Sequence, residues 1–171
     1  MSNHKLDVET RGRELILTRV FDAPKNLLFQ MWTSCEHLSH WWGPKEWPMD
    51  ECTMDFREGG EWLYCLRGPN EGDESWGKAI YQEIDQPDKL VYKNYFTDSN
   101  GTVNEEMPEM RVTVEFIAQN GQTKMIETTL YDSPETRKSV VEMGAVEGMN
   151  SSLDRLEERL AEIHKSQKPT T

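Results

Sequence analysis

No stretch of this 171-residue chain approaches the roughly 20 apolar residues that a bilayer-crossing helix needs. Residues 1–11 are polar and contain no hydrophobic signal core, so a soluble, cytoplasmic protein is expected. Positive charge is scarce: 19 Lys and Arg stand against 31 Asp and Glu, a formal charge of -12. Such a surface repels a polyanion, which argues against nucleic acid as a partner. Insertion into an anionic membrane is disfavoured for the same reason. Cysteine is scarce too. Cys35, Cys52 and Cys65 form no CxxC pair, and reduced thiols are the expectation for a cytoplasmic chain. No phosphate-binding loop, dinucleotide glycine motif, GxSxG or HExxH occurs, so none of those catalytic or cofactor sites is indicated. No cofactor and no metal is implied.

What is abundant is aromatic surface, with six Trp, five Tyr and five Phe. Each ring can bury roughly 150–250 Å2, enough for a core that rests on a few large side chains. The length suits one domain. No repeat or linker divides it, and the expected organisation is a flexible tail over 1–11, one domain over 12–165 and a second tail over 166–171.

The local signals follow one another in a clear order. Residues 13–21 alternate as a strand, with Leu15, Leu17 and Arg19 on one face. Asp22-Ala-Pro24 opens a helix, with proline at its first position. Thr33-Ser-Cys-Glu36 has the form of a capping box for a second, shorter helix. Strands are expected over 49–56, 61–67, 75–84, 90–97, 110–118 and 123–131, separated by Gly59-Gly60, Gly68-Pro69, Pro87-Asp88 and Asn120-Gly121 turns. Connections this short make neighbours antiparallel. Ser133-Pro134 then caps a long helix whose apolar stripe runs Val140, Met143, Val146, Met149, Leu153, Leu156, Leu160 and Ile163. Gly144 and Gly148 interrupt that helix at about 1 kcal/mol each, which suggests close approach to the sheet or to a ligand. A long amphipathic helix needs an apolar face to cover, and a curved antiparallel sheet supplies one. The expected class is α+β, a curved antiparallel sheet around a long C-terminal helix, with two short helices after the first strand.

The strings Phe21-Asp-Ala-Pro24, Met31-Trp-Thr33, His37-Leu38 and Trp41-Trp-Gly-Pro44 resemble the START-like (SRPBCC) superfamily. So do Gly59-Gly60, Tyr64 with Arg67-Gly-Pro69, Trp76-Gly77, Pro87-Asp-Lys-Leu90 and the closing Glu147-Gly148 with Ser152-Leu-Asp-Arg-Leu156. More narrowly, the chain resembles the branch related to the C-terminal domain of the heat-shock protein 90 ATPase activator. That resemblance implies a helix-grip fold, also described as TATA-binding-protein-like, with a cavity between sheet and helix. Relatives bind lipids, sterols, polyketides or other apolar molecules, and a few act on them as enzymes. Met149 stands where this branch commonly has Trp.

Candidate pocket residues are Trp41, Trp42, Trp62, Tyr64, Trp76, Tyr92, Phe96, Met110, Val112, Val114, Met143, Gly144 and Met149. Large rings are also ordinary core payload, and both faces of the strands carry apolar groups, so parity alone leaves the inward face open. Cys35, His37 and His40 are metal-ligand types, but their spacing matches no standard zinc pattern. Glu115, Glu127 and Asp55 lie within strands, where carboxylates usually face solvent. One of them, paired with Tyr64 or Tyr81, could serve as an acid or base. The acidic stretch Glu105-Glu106 and Glu109 reads as a solvated loop. Binding of a hydrophobic or amphipathic small molecule, by a monomer or homodimer, is the leading functional expectation. A module regulating a chaperone ATPase and a cyclase or hydratase acting on polyketide-like substrates are the alternatives.

Overall fold

The computed structural model describes residues 5–167. Among them, eight strands form one antiparallel sheet: β1 (Asp7–Arg11), β2 (Glu14–Phe21), β3 (Met49–Met54), β4 (Glu61–Arg67), β5 (Glu74–Asp85), β6 (Lys89–Thr97), β7 (Met110–Gln119) and β8 (Gln122–Leu130). The spatial order is β1-β2-β8-β7-β6-β5-β4-β3. Six of the seven pairings join strands consecutive in the chain, and β2–β8 is the exception. The helices α1 (Lys25–Met31) and α2 (Cys35–Leu38) carry the chain from β2 to β3 at the opposite edge. The C-terminal segment contains α3 (Pro134–Glu142) and α4 (Ala145–Gln167). The curved sheet with its C-terminal helix is the helix-grip architecture that the sequence implied.

Alternation sorts the two faces. Leu15, Leu17, Arg19 and Phe21 of β2 and Thr123, Met125 and Glu127 of β8 are buried at every second position. Val112, Val114 and Phe116 of β7, Tyr92 of β6, Ala79 and Tyr81 of β5 and Trp62 and Tyr64 of β4 continue the same face. Leu153, Leu156 and Leu160 of α4 and Leu28, Phe29 and Met31 of α1 complete this core. A smaller cluster, Leu15, Leu17 and Tyr131, lies under Val140, Val141, Val146 and Met149.

Several expectations are corrected. Asp7–Arg11 is not a tail, because it pairs with β2 as an exposed edge strand. Residues 1–4 of the expected N-terminal tail and 168–171 of the C-terminal one lie outside the described residues. α4 runs through Gln167, past the expected domain limit. Pro24 is the N-cap of α1 and not its first residue, and Ser34, not Thr33, caps α2 by accepting from the His37 N–H. The Thr33 hydroxyl instead donates to the Gln30 carbonyl at 3.2 Å.

The single long helix is also broken. Ser133 caps it as expected, accepting from the Thr136 N–H at 3.0 Å. The chain then turns at Gly144, whose φ of +97° lies in the left-handed region that glycine enters without steric penalty. Gly144 has no tight neighbour, and a Cβ on Gly148 would only touch Pro44 at an ordinary 3.6 Å. The first glycine ends a helix, and neither marks a close approach. α3 and the first turns of α4 share the smaller cluster beside β2, and the rest of α4 lies over the main core.

Cys35 and Cys52 are disulfide-bonded with Cα atoms 5.7 Å apart, within the usual range for a bridge. The expectation of three reduced thiols holds only for Cys65, which is free and buried. That expectation rested on compartment, whereas the contact of α2 with edge strand β3 brings the two sulfurs together.

Candidate functional site

The inner face near α1 and α2 is filled. Trp32 meets Trp41 and Trp42 with ring centroids 4.9 and 5.5 Å apart. Trp42 meets Trp62 at 4.8 Å, and Trp62 meets Tyr64 at 4.7 Å. The Trp41 indole N–H donates to the Met31 carbonyl at 3.0 Å. Edge-to-face contacts of this kind add about 0.5–1.5 kcal/mol beyond area burial, so Trp41 and Trp42 act as core anchors of α2. Tyr64 reaches across β5 and donates to Asn94 Oδ1 of β6 at 3.3 Å. It passes over Gly77, where a Cβ would lie 2.5 Å from the ring.

The C-terminal helix is held on the sheet by polar contacts. Arg19, 3% exposed, bonds Asn150 at 3.0 Å and pairs with Asp154 at 2.8 Å and Glu157 at 3.6 Å. Arg155 donates to the Gly43 carbonyl at 2.8 Å, and the Lys45 N–H donates to Ser151 at 3.0 Å. These contacts fix α4 along both β2 and the Trp42–Lys45 turn.

Open space begins where α4 leaves α3. A groove of about 570 Å3 runs between Phe96 at the end of β6, Met107 and Pro108 of the β6–β7 loop, Pro44, and Val140, Met143, Gly144 and Gly148 of the helices. Met143 projects into solvent, 82% exposed, and Met107 is exposed as well. The volume is within the roughly 300–1,000 Å3 typical of small-molecule sites. A depression of about 600 Å3 on the other face is bordered by Arg13, Glu105, Glu109 and Arg111. It presents mixed charge, and Glu109 already accepts from the Tyr95 hydroxyl at 2.9 Å, so the apolar groove is the better candidate.

The structure divides the candidate lining. Phe96, Met143 and Gly144 border the groove. Trp62, Tyr64, Tyr92, Val112 and Val114 belong to the inner face and its core, as do Trp41 and Trp42. Met110 and Met149 are partly buried against the smaller cluster. Trp76 is not with them. It alternates with inward Gly77, pairs with Cys65 in register, and its indole donates to Glu74 at 2.9 Å on the outer face. Cys35 is committed to its disulfide, so the Cys35, His37 and His40 trio offers no thiolate ligand. Among the described residues no group of three His, Cys, Asp or Glu is placed to hold a metal ion, and no helix is long and apolar enough to cross a membrane.

Of the three candidate carboxylates, Asp55 lies just past β3, is exposed and pairs with Arg57 at 2.8 Å, while Glu115 lies on the outer face opposite Lys89. Glu127 departs from the solvated expectation, being buried on the inner face. Burial alone lifts its carboxyl to about 7. Its charge, after desolvation, also raises the Tyr92 and Tyr131 hydroxyls, the latter to about 12. The alternation of Thr123, Met125 and Glu127 carried this signal in the sequence, once the inward face was known.

Solved structures share this arrangement. A protein of Arthrobacter aurescens is 27% identical with a TM-score of 0.84, the alignment covering 91% of each chain. One of Mycobacterium smegmatis is 26% identical with a TM-score of 0.83, covering 91% of this chain and 97% of that one. One of Staphylococcus epidermidis is 29% identical with a TM-score of 0.78, covering 96% and 97%. No functionally curated protein matches the sequence. The model of the family described as Activator of Hsp90 ATPase homolog 1-like protein matches residues 22–161, from the turn after β2 to the last core turn of α4, and the chain belongs to that family.

Proposed function

We propose that this chain is a small-molecule-binding module whose ligand is apolar or amphipathic and lies in the groove at the α3–α4 bend. The observation that carries the reading is the groove itself, an apolar recess of about 570 Å3 bordered by Phe96, Val140 and the exposed Met143. Methionine is flexible and polarizable, and it suits a surface that adapts to varied apolar shapes. The break at Gly144 lets α3 stand as one wall of the groove while α4 remains packed on the core.

Native mass spectrometry of the purified protein, followed by denaturing release of any adduct, tests the reading directly. A stoichiometric apolar adduct, or saturable binding of nile red that Val140→Glu and Met143→Glu abolish, is the expected result. A clean protein mass together with no saturable nile red binding overturns it.

A further inference from the structure

We propose that Glu127 is the interior anchor for a ligand that carries a positively charged nitrogen on an apolar body, an amphipathic amine. This rests on the groove being a ligand seat, and it adds the class of ligand.

Glu127 is 6% exposed, between Leu17 of β2 and Val114 of β7 in the sheet register. Both neighbours are apolar. Among the described residues it has no hydrogen-bond or ion-pair partner, although a buried charge left unpaired is costly. Nor is it sealed. The buried polar atoms that lack both a partner and accessible space include Tyr81 Oη and Trp62 Nε1, but neither carboxylate oxygen of Glu127. The same is true of Tyr92 Oη, on a side chain 2% exposed. Two unpartnered oxygen-bearing groups thus lie nearly buried, each with only slight accessible surface.

Among the described residues no protein cation pairs with them. Arg19 is the inward-facing cation on β2, and Asn150, Asp154 and Glu157 of α4 engage it. The titratable groups that sense Glu127 are Tyr92 on β6 and Tyr131 after β8. The apolar helical residues packed over Leu17 and Tyr131 are Val140 and Val141 of α3 and Val146 and Met149 of α4. Burial, with no offsetting positive charge, accounts for the raised carboxyl.

The groove's Phe96 and this carboxylate lie on the same inner face of the sheet, on β6 and β8 with β7 between them. Phe96 borders the groove, and Asn94 and Tyr92 follow it along the inner face of β6. At about 3.3 Å per residue, Tyr92 lies about 13 Å further along the strand. An extended alkyl chain can cover that span, with its body against Phe96 and Met143 and its ammonium group at Glu127 and Tyr92.

Decylamine, decanol and decanoate share one alkyl chain and differ in the head group. Their affinities for wild type and Glu127→Gln, measured by calorimetry at neutral pH, test the assignment. Decylamine is expected to bind about 30-fold or more tighter than decanol, as a desolvated charge pair allows. Glu127→Gln is expected to remove that preference, lowering decylamine affinity by far more than decanol affinity. In wild type, decylamine binding in two buffers of different ionisation enthalpy is expected to release up to about half a proton at pH 7, because the bound cation drives Glu127 to its ionised form. Decanol binding without an amine preference, an amine preference that survives Glu127→Gln, or the absence of proton release overturns the Glu127 assignment and leaves the groove reading intact. If none of the three ligands binds, the groove reading fails and the assignment fails with it.

Discussion

Gly77 and Tyr64 occupy the same space on the inner face: a Cβ on Gly77 would lie 2.5 Å from the Tyr64 ring and hydroxyl. Tyr64 lies flat across β5 because this glycine has no side chain, and that path takes its hydroxyl to Asn94. Gly77→Ala should therefore displace the ring and destabilise the fold by about 1–3 kcal/mol, the usual range for overpacking. The shift in urea midpoint measures it, and Gly77→Ala combined with Tyr64→Leu should recover part of the loss.

Arg19 should matter far more than the carboxylate that it meets. It is buried, whereas Asp154 is 61% exposed. Arg19→Ala leaves Asn150 and Glu157 without their inner partner and should cost about 3 kcal/mol. Asp154→Ala removes a solvent-screened partner and should cost less than about 1 kcal/mol. Equal losses in denaturant unfolding would contradict this division.

Glu127 gives the fold a distinct pH profile. Its carboxyl rises from the ordinary 4.5 to about 7 on folding, so the native state binds the proton more tightly than the unfolded chain. This contribution is fully present below pH 4.5 and is lost as pH rises through the folded value. Linkage makes that loss about 3 kcal/mol across the window. Glu127→Gln should match wild type in acid and exceed it by up to that amount at pH 8, as measured by urea midpoints across the pH range. Parallel profiles for the two proteins would refute the burial account.

The disulfide closes a loop with a sequence separation of 17 residues between Cys35 and Cys52. Removing it with Cys35→Ser and Cys52→Ser should cost about 3 kcal/mol by loop-closure entropy. Thiol titration of denatured, unreduced protein should find one reactive group, Cys65, and three after reduction. Three thiols before reduction would show that the bond is absent.

Most of the fold was legible because it is written in short-range signals. The β7–β8 hairpin was visible from Asn120-Gly121, where both residues take the positive φ that such a turn needs. The helix start was visible from Ser133-Pro134, which caps α3. The Asp7–Arg11 strand was not visible, because every one of its residues is exposed and no alternation marks it. The bend at Gly144 was missed because the three-and-four spacing of apolar residues continues across it. Spacing reports which residues are apolar in turn and says nothing of a backbone that changes direction between them.

The candidate site was less legible. Both faces of the central strands carry large apolar groups, and strand parity could group Trp62 with Tyr64 without showing which way they point. Trp76, a candidate pocket residue by sequence, stands on the outer face beside Cys65. A strand carboxylate ordinarily faces solvent, whereas Glu127 shares the inward face of its neighbours in alternation, Thr123 and Met125.

The sequence by itself determined the element order from β2 to the start of α3, the antiparallel pairing and the family, because turn chemistry, caps and periodicity act over a few residues. The tertiary structure alone decided the inward face, the Cys35–Cys52 bond, the filling of one end of the core by tryptophans and the opening of a groove at the other. These depend on which distant segments meet, and Glu127 acquires its buried, unpaired state only where β2, β7 and β8 come together.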